Sequence, residues 1–137
     1  MYTIAICCSK KFKKEERLFS RKLKKLGINV YASPLHASRV WESLEEADKV
    51  AFAAGATYRH FHKIRKSDAI FVLNVKGYIG VSTNLEIGFA AALDKRIFFM
   101  EDDIDYPRKI LIDGFAKTPE ELIRRIKDVK TPDVLDR

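Results

Sequence analysis

Two cysteines, four prolines, six glycines and one tryptophan are spread through 137 residues, and each scarcity excludes something. Cys7 and Cys8 are adjacent, which suits neither a disulfide framework nor the Cys-x-x-Cys spacing of a zinc or redox site, so buried free thiols are expected. The glycines form no Gly-x-Gly-x-x-Gly and no Gly-x4-Gly-Lys-Ser/Thr, which removes the dinucleotide and P-loop fingerprints. No apolar run approaches the ~20 residues that span a bilayer. "MYTIAICCSKK" puts its apolar stretch before the basic cluster, the reverse of a secretory signal. The expectation is a cytoplasmic protein without membrane contact. Internal repeats and low-complexity linkers are also missing, which leaves one domain over 1–129 and a polar tail over 130–137.

Acidic residues are the next shortage, with 19 against 26 basic ones and a net charge of +7. The excess is concentrated in "KKFKKEERLFSRKLKK", residues 10–25, which holds nine Lys or Arg and two Glu. With Phe12, Leu18, Phe19, Leu23 and Leu26 at helical spacing, this segment predicts an amphipathic helix with a basic outer face. Such a face is solvated, or attracts a phosphorylated small molecule to the helix start, or contacts nucleic acid. No helix-turn-helix, zinc finger or RNA-binding aromatic signature supports the last reading, so nucleic acid is not the expected partner.

Short apolar runs alternate with longer amphipathic segments. Strands are predicted in "YTIAICC", "INVYAS", "DAIFVLN", "RIFFM" and weakly in "ILIDGFA", with Pro34 closing the second. Helices are predicted after the first strand up to Gly27, over 38–66 with a break near Gly55, after "NVKGYIG", and from "TPEELIRRIKD". The last opens on a capping box with Thr118, Pro119 and Glu121. This pattern means an α/β fold of the Rossmann or flavodoxin type, three layers around a mostly parallel sheet of about five strands. Ligands of such sheets bind at the carboxyl ends of the strands, which directs attention to "CSKKF", "SPLHAS", "NVKGYIGVST" and "EDDIDYP". A receiver domain would need an acidic pair where Cys7-Cys8 stand.

In the first loop Ser9 precedes Lys10 and Lys11 before a helix start, so it caps the helix or helps to hold a phosphate. The third loop runs into "STNLEIGFAAALDK". Glu86 there fits a Thr-x-x-Glu capping box with Thr83 and would then sit in the first helical turn, kept ionised by the helix dipole. The loop before it offers Gly77 and Gly80 for close backbone approach and the hydroxyls of Tyr78, Ser82 and Thr83 at the strand mouth, which a cap alone does not explain. An ionised carboxylate in that position suits a nucleophile for glycosidic bond cleavage. The acids of "EDDID" are solvated or coordinate magnesium.

"KIRKSDAIFVLNVKGYIGVSTNLEIGFAAALDKRIFF" resembles the nucleoside 2-deoxyribosyltransferase family, including its deoxynucleoside 5'-monophosphate N-glycosidases, over roughly residues 60–100. The resemblance implies cleavage or transfer of the N-glycosidic bond of a 2'-deoxynucleoside or its 5'-monophosphate, with Glu86 as nucleophile. It implies small nucleosides or nucleotides as partners, no cofactor, and a homo-oligomer. Cys7-Cys8-Ser9 resembles the Cys-Gly-Ser loop that holds the 5'-phosphate, which implies Ser9 and Ser82 as phosphate ligands; because the loops after neighbouring parallel strands converge, Cys8, Asn74, Tyr78, Gly80 and Thr83 complete the candidate substrate contacts. Two acids of the family pattern are replaced here, by His60 and by Gly80. His60 is either the proton donor for the leaving base, on the strength of an ordinary pKa near 6.5, or a packed helix residue. A binding module that kept the pocket and lost these acids is the alternative. His60 and His62, two apart on a helix, cannot share a face, so no metal site is expected from them.

Overall fold

The computed structural model describes residues 1–33 and 41–128. The helix segment over 38–40, the "PLHAS" part of the second loop with Pro34, and the tail over 130–137 lie outside these.

Five strands, β1 (Thr3–Cys7), β2 (Asn29–Tyr31), β3 (Ala69–Val72), β4 (Arg96–Phe99) and β5 (Gly114–Phe115), form one sheet in the order β2-β1-β3-β4-β5. All pairings are parallel. Between them lie helices α1 (Lys13–Lys25), α2 (Glu46–Lys66), α3 (Val81–Ala92), the single turn α4 (Tyr106–Lys109), and α5 (Pro119–Asp128). This is the three-layer α/β architecture expected. Strand order reverses between β1 and β3, so the loops leaving these two strands diverge and open a crevice at their carboxyl ends.

Strand alternation divides the core. Ile4, Ile6, Phe71, Leu73 and Phe98 face one way with Phe19 and Leu23 of α1 and Leu122 of α5, and Phe19 stacks on Phe71 at 4.5 Å. Ala5, Cys7, Ile70, Val72, Ile97 and Phe99 face the other way with Ile64 of α2 and Ile87 and Ala90 of α3. Because side chains alternate along β1, the adjacent cysteines are sent to opposite sides of the sheet. Both are buried and free.

Several local readings change. α1 is preceded by a 3-10 turn over Lys10–Phe12, and Leu18 and Leu26 are exposed, while Glu16 and Ser20 are buried beside Phe19 and Leu23. α2 runs through Gly55 without a break, because a regular helix needs no side chain there and nothing crowds that position. Gly27 does end its segment, at φ +91, where a residue without Cβ is favoured. At α5, Thr118 Oγ1 accepts from Glu121 N (3.2 Å), but Glu121 reaches back to Lys117 N (2.7 Å), one residue short of a closed box.

The acids after β4 are ion-paired. Arg108 donates to Asp103 (2.6 Å) and Asp105 (2.5 Å), Lys109 to Asp102 (3.2 Å), and Lys117 to Glu101 (2.5 Å). They hold the α4 turn and do not gather around a common point for a magnesium ion. Asn74 is fully buried and clasps the same loop: its Nδ2 donates to the Glu101 carbonyl (3.0 Å) and its Oδ1 accepts from Glu101 N (2.9 Å). Asn74→Ala is expected to lower stability by about 1–3 kcal/mol in urea unfolding, since two backbone groups lose their partner. Its KM should be unchanged; a stable variant with a raised KM would return Asn74 to the site.

Candidate active site

A cavity of 340 Å³ opens at the crevice between α2 and α3. Ser9 and Lys10 border it from the β1 loop, Gly80 to Thr83 from the start of α3, and Trp41, Ala53, Ala56 and Leu85 give it an apolar wall. His60 of α2 and Glu86 of α3 line it together, both buried, with His60 Nε2 3.2 Å from Glu86 Oε2. A second cavity, of 500 Å³, shares Ala56 and His60 with the first and has Ser33, Arg59 and Lys63 in its wall.

The position of Glu86 corrects the capping reading. α3 is capped by Gly80, in extended conformation at φ −82, so Thr83 is the third helical residue and Glu86 lies in the second turn. Thr83, Glu86, Ile87 and Ala90 form the buried stripe of the helix, at spacings of three and four. Glu86 therefore points inward and caps nothing. Gly80 is not required by its backbone, and a Cβ there would meet only the Tyr78 ring, at 3.9 Å.

Burial also reverses the charge expected of Glu86. An unpaired carboxylate in a dry site costs more than the helix dipole returns, so the acid keeps its proton. Burial pushes its pKa up to about 8, with the Cys7 thiol opposing and the Glu16 carboxylate adding to the rise. His60 moves the other way: burial first and Lys63 second push it down to about 4, against a small opposing pull from the Ile6 carbonyl. The imidazole is thus neutral at neutral pH and must first take up a proton from a neighbour before it can donate one. Cys7, on the same side of the sheet, has Sγ 3.7 Å from His60 Nε2, and its thiol is held well above its usual range by burial and then by Glu86.

The remaining candidates divide. Ser9, Gly80, Ser82 and Thr83 border the cavity with His60 and Glu86. Ser9 also caps its turn, Oγ accepting from Lys11 N at 3.3 Å. The α3 start has no side-chain cap and borders the cavity, so its first N–H groups are left without a side-chain partner there. Cys8, Asn74 and Tyr78 do not line the cavity. Cys8 lies across the sheet, where its thiol donates to Glu16 Oε2 (2.9 Å), and Tyr78 packs edge-on against Phe12 under the Lys11 ammonium. Glu16, whose other oxygen accepts from Ser33 N at 2.6 Å, ties α1 to the end of β2. Its carboxyl is raised by burial, more than the Cys8 and Ser33 hydrogen bonds lower it. Sequence reasoning passed over Trp41, Glu16 and the Cys7 thiol packed behind His60. For Cys7 alone a signal existed, in the alternation of β1.

No protein-family model matches the chain, and no curated protein does. Solved structures do. A 2-deoxyribosyltransferase from the psychrotolerant bacterium Bacillus psychrosaccharolyticus superposes with a TM-score of 0.64 at 13% identity, over 93% of this chain and 92% of that one. A conserved protein from Enterococcus faecalis V583 gives 0.61 at 13%, over 93% and 98%. The Clostridium botulinum CMP N-glycosidase BcmB gives 0.53 at 12%, over 91% and 98%. At these identities what is shared is the fold, and the chain carries the fold of the 2-deoxyribosyltransferase-like proteins.

Proposed function

We propose that this protein cleaves or transfers the N-glycosidic bond of a 2'-deoxynucleoside or its 5'-monophosphate, with Glu86 as nucleophile. The observation that carries this reading is a carboxyl buried against a histidine at a cavity of nucleoside size, in the crevice where this fold binds ligands. The apolar wall with Trp41 receives the base. Ser9, Lys10, Ser82 and the uncapped start of α3 receive a 5'-phosphate, where backbone N–H groups and the helix dipole favour an anion.

The pair divides the chemistry. At rest it holds one proton, on Glu86, and no net charge. Rotation of the Glu86 carboxyl that brings the 3.2 Å pair into line lets that proton pass to His60, which creates a carboxylate and an imidazolium without changing the charge of the buried site. The carboxylate attacks the anomeric carbon as the C–N bond breaks, and the electron pair leaves on the base nitrogen, which takes the proton from His60. Water or a second base then attacks the same carbon, returns its proton to the pair and releases Glu86. His60 so fills the place of the acids the family pattern leads one to expect.

The state of Glu86 at rest favours one other reading, a nucleotide-binding module in which the acid never ionises. Incubation with a panel of deoxynucleosides and their monophosphates, followed by chromatography, separates the two. Free base is expected from at least one substrate. Saturable binding of a nucleotide with no base released would establish the binding module instead.

A further inference from the structure

Among the described residues, one cluster has the donor atoms to hold a metal ion: Cys7 Sγ, His60 Nε2 and Glu86 Oε2, all buried and all within 4.8 Å of one another. The three come from β1, α2 and α3, so the fold and not a local motif assembles them. Their spacing is informative. Zinc bonded tetrahedrally to one sulfur, one nitrogen and one oxygen separates sulfur from nitrogen by about 3.6 Å and nitrogen from oxygen by about 3.3 Å. The observed separations are 3.7 Å and 3.2 Å.

A second observation points the same way. Although Nε2 and Oε2 are close, they lack hydrogen-bond alignment, and Oε2 is buried without a hydrogen-bond partner among the described residues. Cys7 Sγ meets Nε2 only in a long 3.7 Å thiol contact, so the three atoms converge with this Glu86 oxygen still unsatisfied, as they would around a shared centre. We propose that Cys7, His60 and Glu86 form a binding site for a borderline-soft divalent cation, zinc before others, with its fourth position facing the 340 Å³ cavity.

Binding places a thiolate, a carboxylate and a neutral imidazole on a 2+ ion. The thiol and carboxyl protons go to solvent, and the buried site ends neutral, as it began. Thiolate and imidazole exclude magnesium and calcium, which take oxygen donors. The exposed His62 has no part in the site. Since Glu86 cannot ligate a cation and attack a sugar together, zinc and glycosidic turnover are mutually exclusive. The site itself does not rest on the glycosidic reading, because binding is measured without substrate.

The test is cobalt and zinc binding to the metal-free full chain, followed by equilibrium dialysis and absorption spectroscopy. One zinc per chain is expected. Cobalt should give the intense visible bands of a four-coordinate ion with a thiolate-to-cobalt charge-transfer band. Cys7→Ser should abolish that band, and Glu86→Gln and His60→Gln should each weaken zinc binding at least about tenfold. Circular dichroism identifies a variant that fails to fold; the wild-type charge-transfer band then decides alone. Absence of that band, no stoichiometric zinc, or affinity unchanged in folded Cys7→Ser and His60→Gln chains would each overturn the proposal.

Discussion

Glu86→Gln should lower turnover on the order of 10³-fold or more, the scale seen when a covalent nucleophile is removed, and should at the same time make the protein more stable. The second half follows from burial. The Glu86 carboxyl titrates near 8 in the folded chain against an ordinary 4.5, so its contribution to stability is complete below 4.5 and is lost as pH rises through about 8. The other titratable groups, His60 among them, are the same in both chains, so from pH 6.5 upward Glu86 alone sets the difference between them. There the wild type should lose stability relative to Glu86→Gln by about 1 kcal/mol per pH unit, up to pH 8. Glutamine has nearly the shape of the protonated acid and no such loss. Urea unfolding of both chains at pH 6.5 and 8 measures it. A carboxyl that costs stability where it sits and is needed for turnover is one kept for chemistry. If the variant were less stable and as active, Glu86 would be a packing residue.

His60→Gln should cost about 10²- to 10⁴-fold in kcat/KM, the usual worth of a positioned acid, and should change the shape of the pH profile. In the wild type the working form is the pair with one proton. Its kcat/KM is expected to be level from about pH 5 to 7, to fall above about 8 as that proton is lost, and to fall again near 4 where a second is gained. Those limits belong to the pair and not to either residue. Without His60 only the ionised carboxylate works, so the remaining activity should rise with pH through the range where Glu86 ionises. A His60→Gln profile with the wild-type shape would show that the imidazole moves no proton.

The strands were legible because doubly covered parallel strands are continuous apolar runs, as in "DAIFVLN", and their carboxyl ends locate the crevice without further information. Glu86 stood out in the sequence because a lone acid among small apolar residues is unusual on any helix, and the structure buries it at the cavity wall. Its environment was misread because a capping pattern is local and burial is not. Thr83 and Glu86 satisfy the spacing of a box, but the helix starts at Val81, and the same spacing of three then puts both on the buried stripe. Asn74 and Tyr78 were placed at the mouth by sequence proximity to the β3 end; Asn74 turns to Glu101, while Tyr78 packs on Phe12 and Lys11 with its hydroxyl beside Gly80. Glu16 could not be singled out from a helix so rich in charge; only the packed structure shows which of its two glutamates is withdrawn from water.

The central claim is that Glu86 forms a bond to the sugar, and mass spectrometry of the enzyme quenched in acid during turnover tests it most directly. With a deoxynucleoside monophosphate that releases base, the intact mass should rise by one deoxyribosyl phosphate unit. Peptide mapping should place the adduct on Glu86, and the adduct should be missing in Glu86→Gln. Base release with no adduct on any residue, or an adduct on another side chain, would contradict the account.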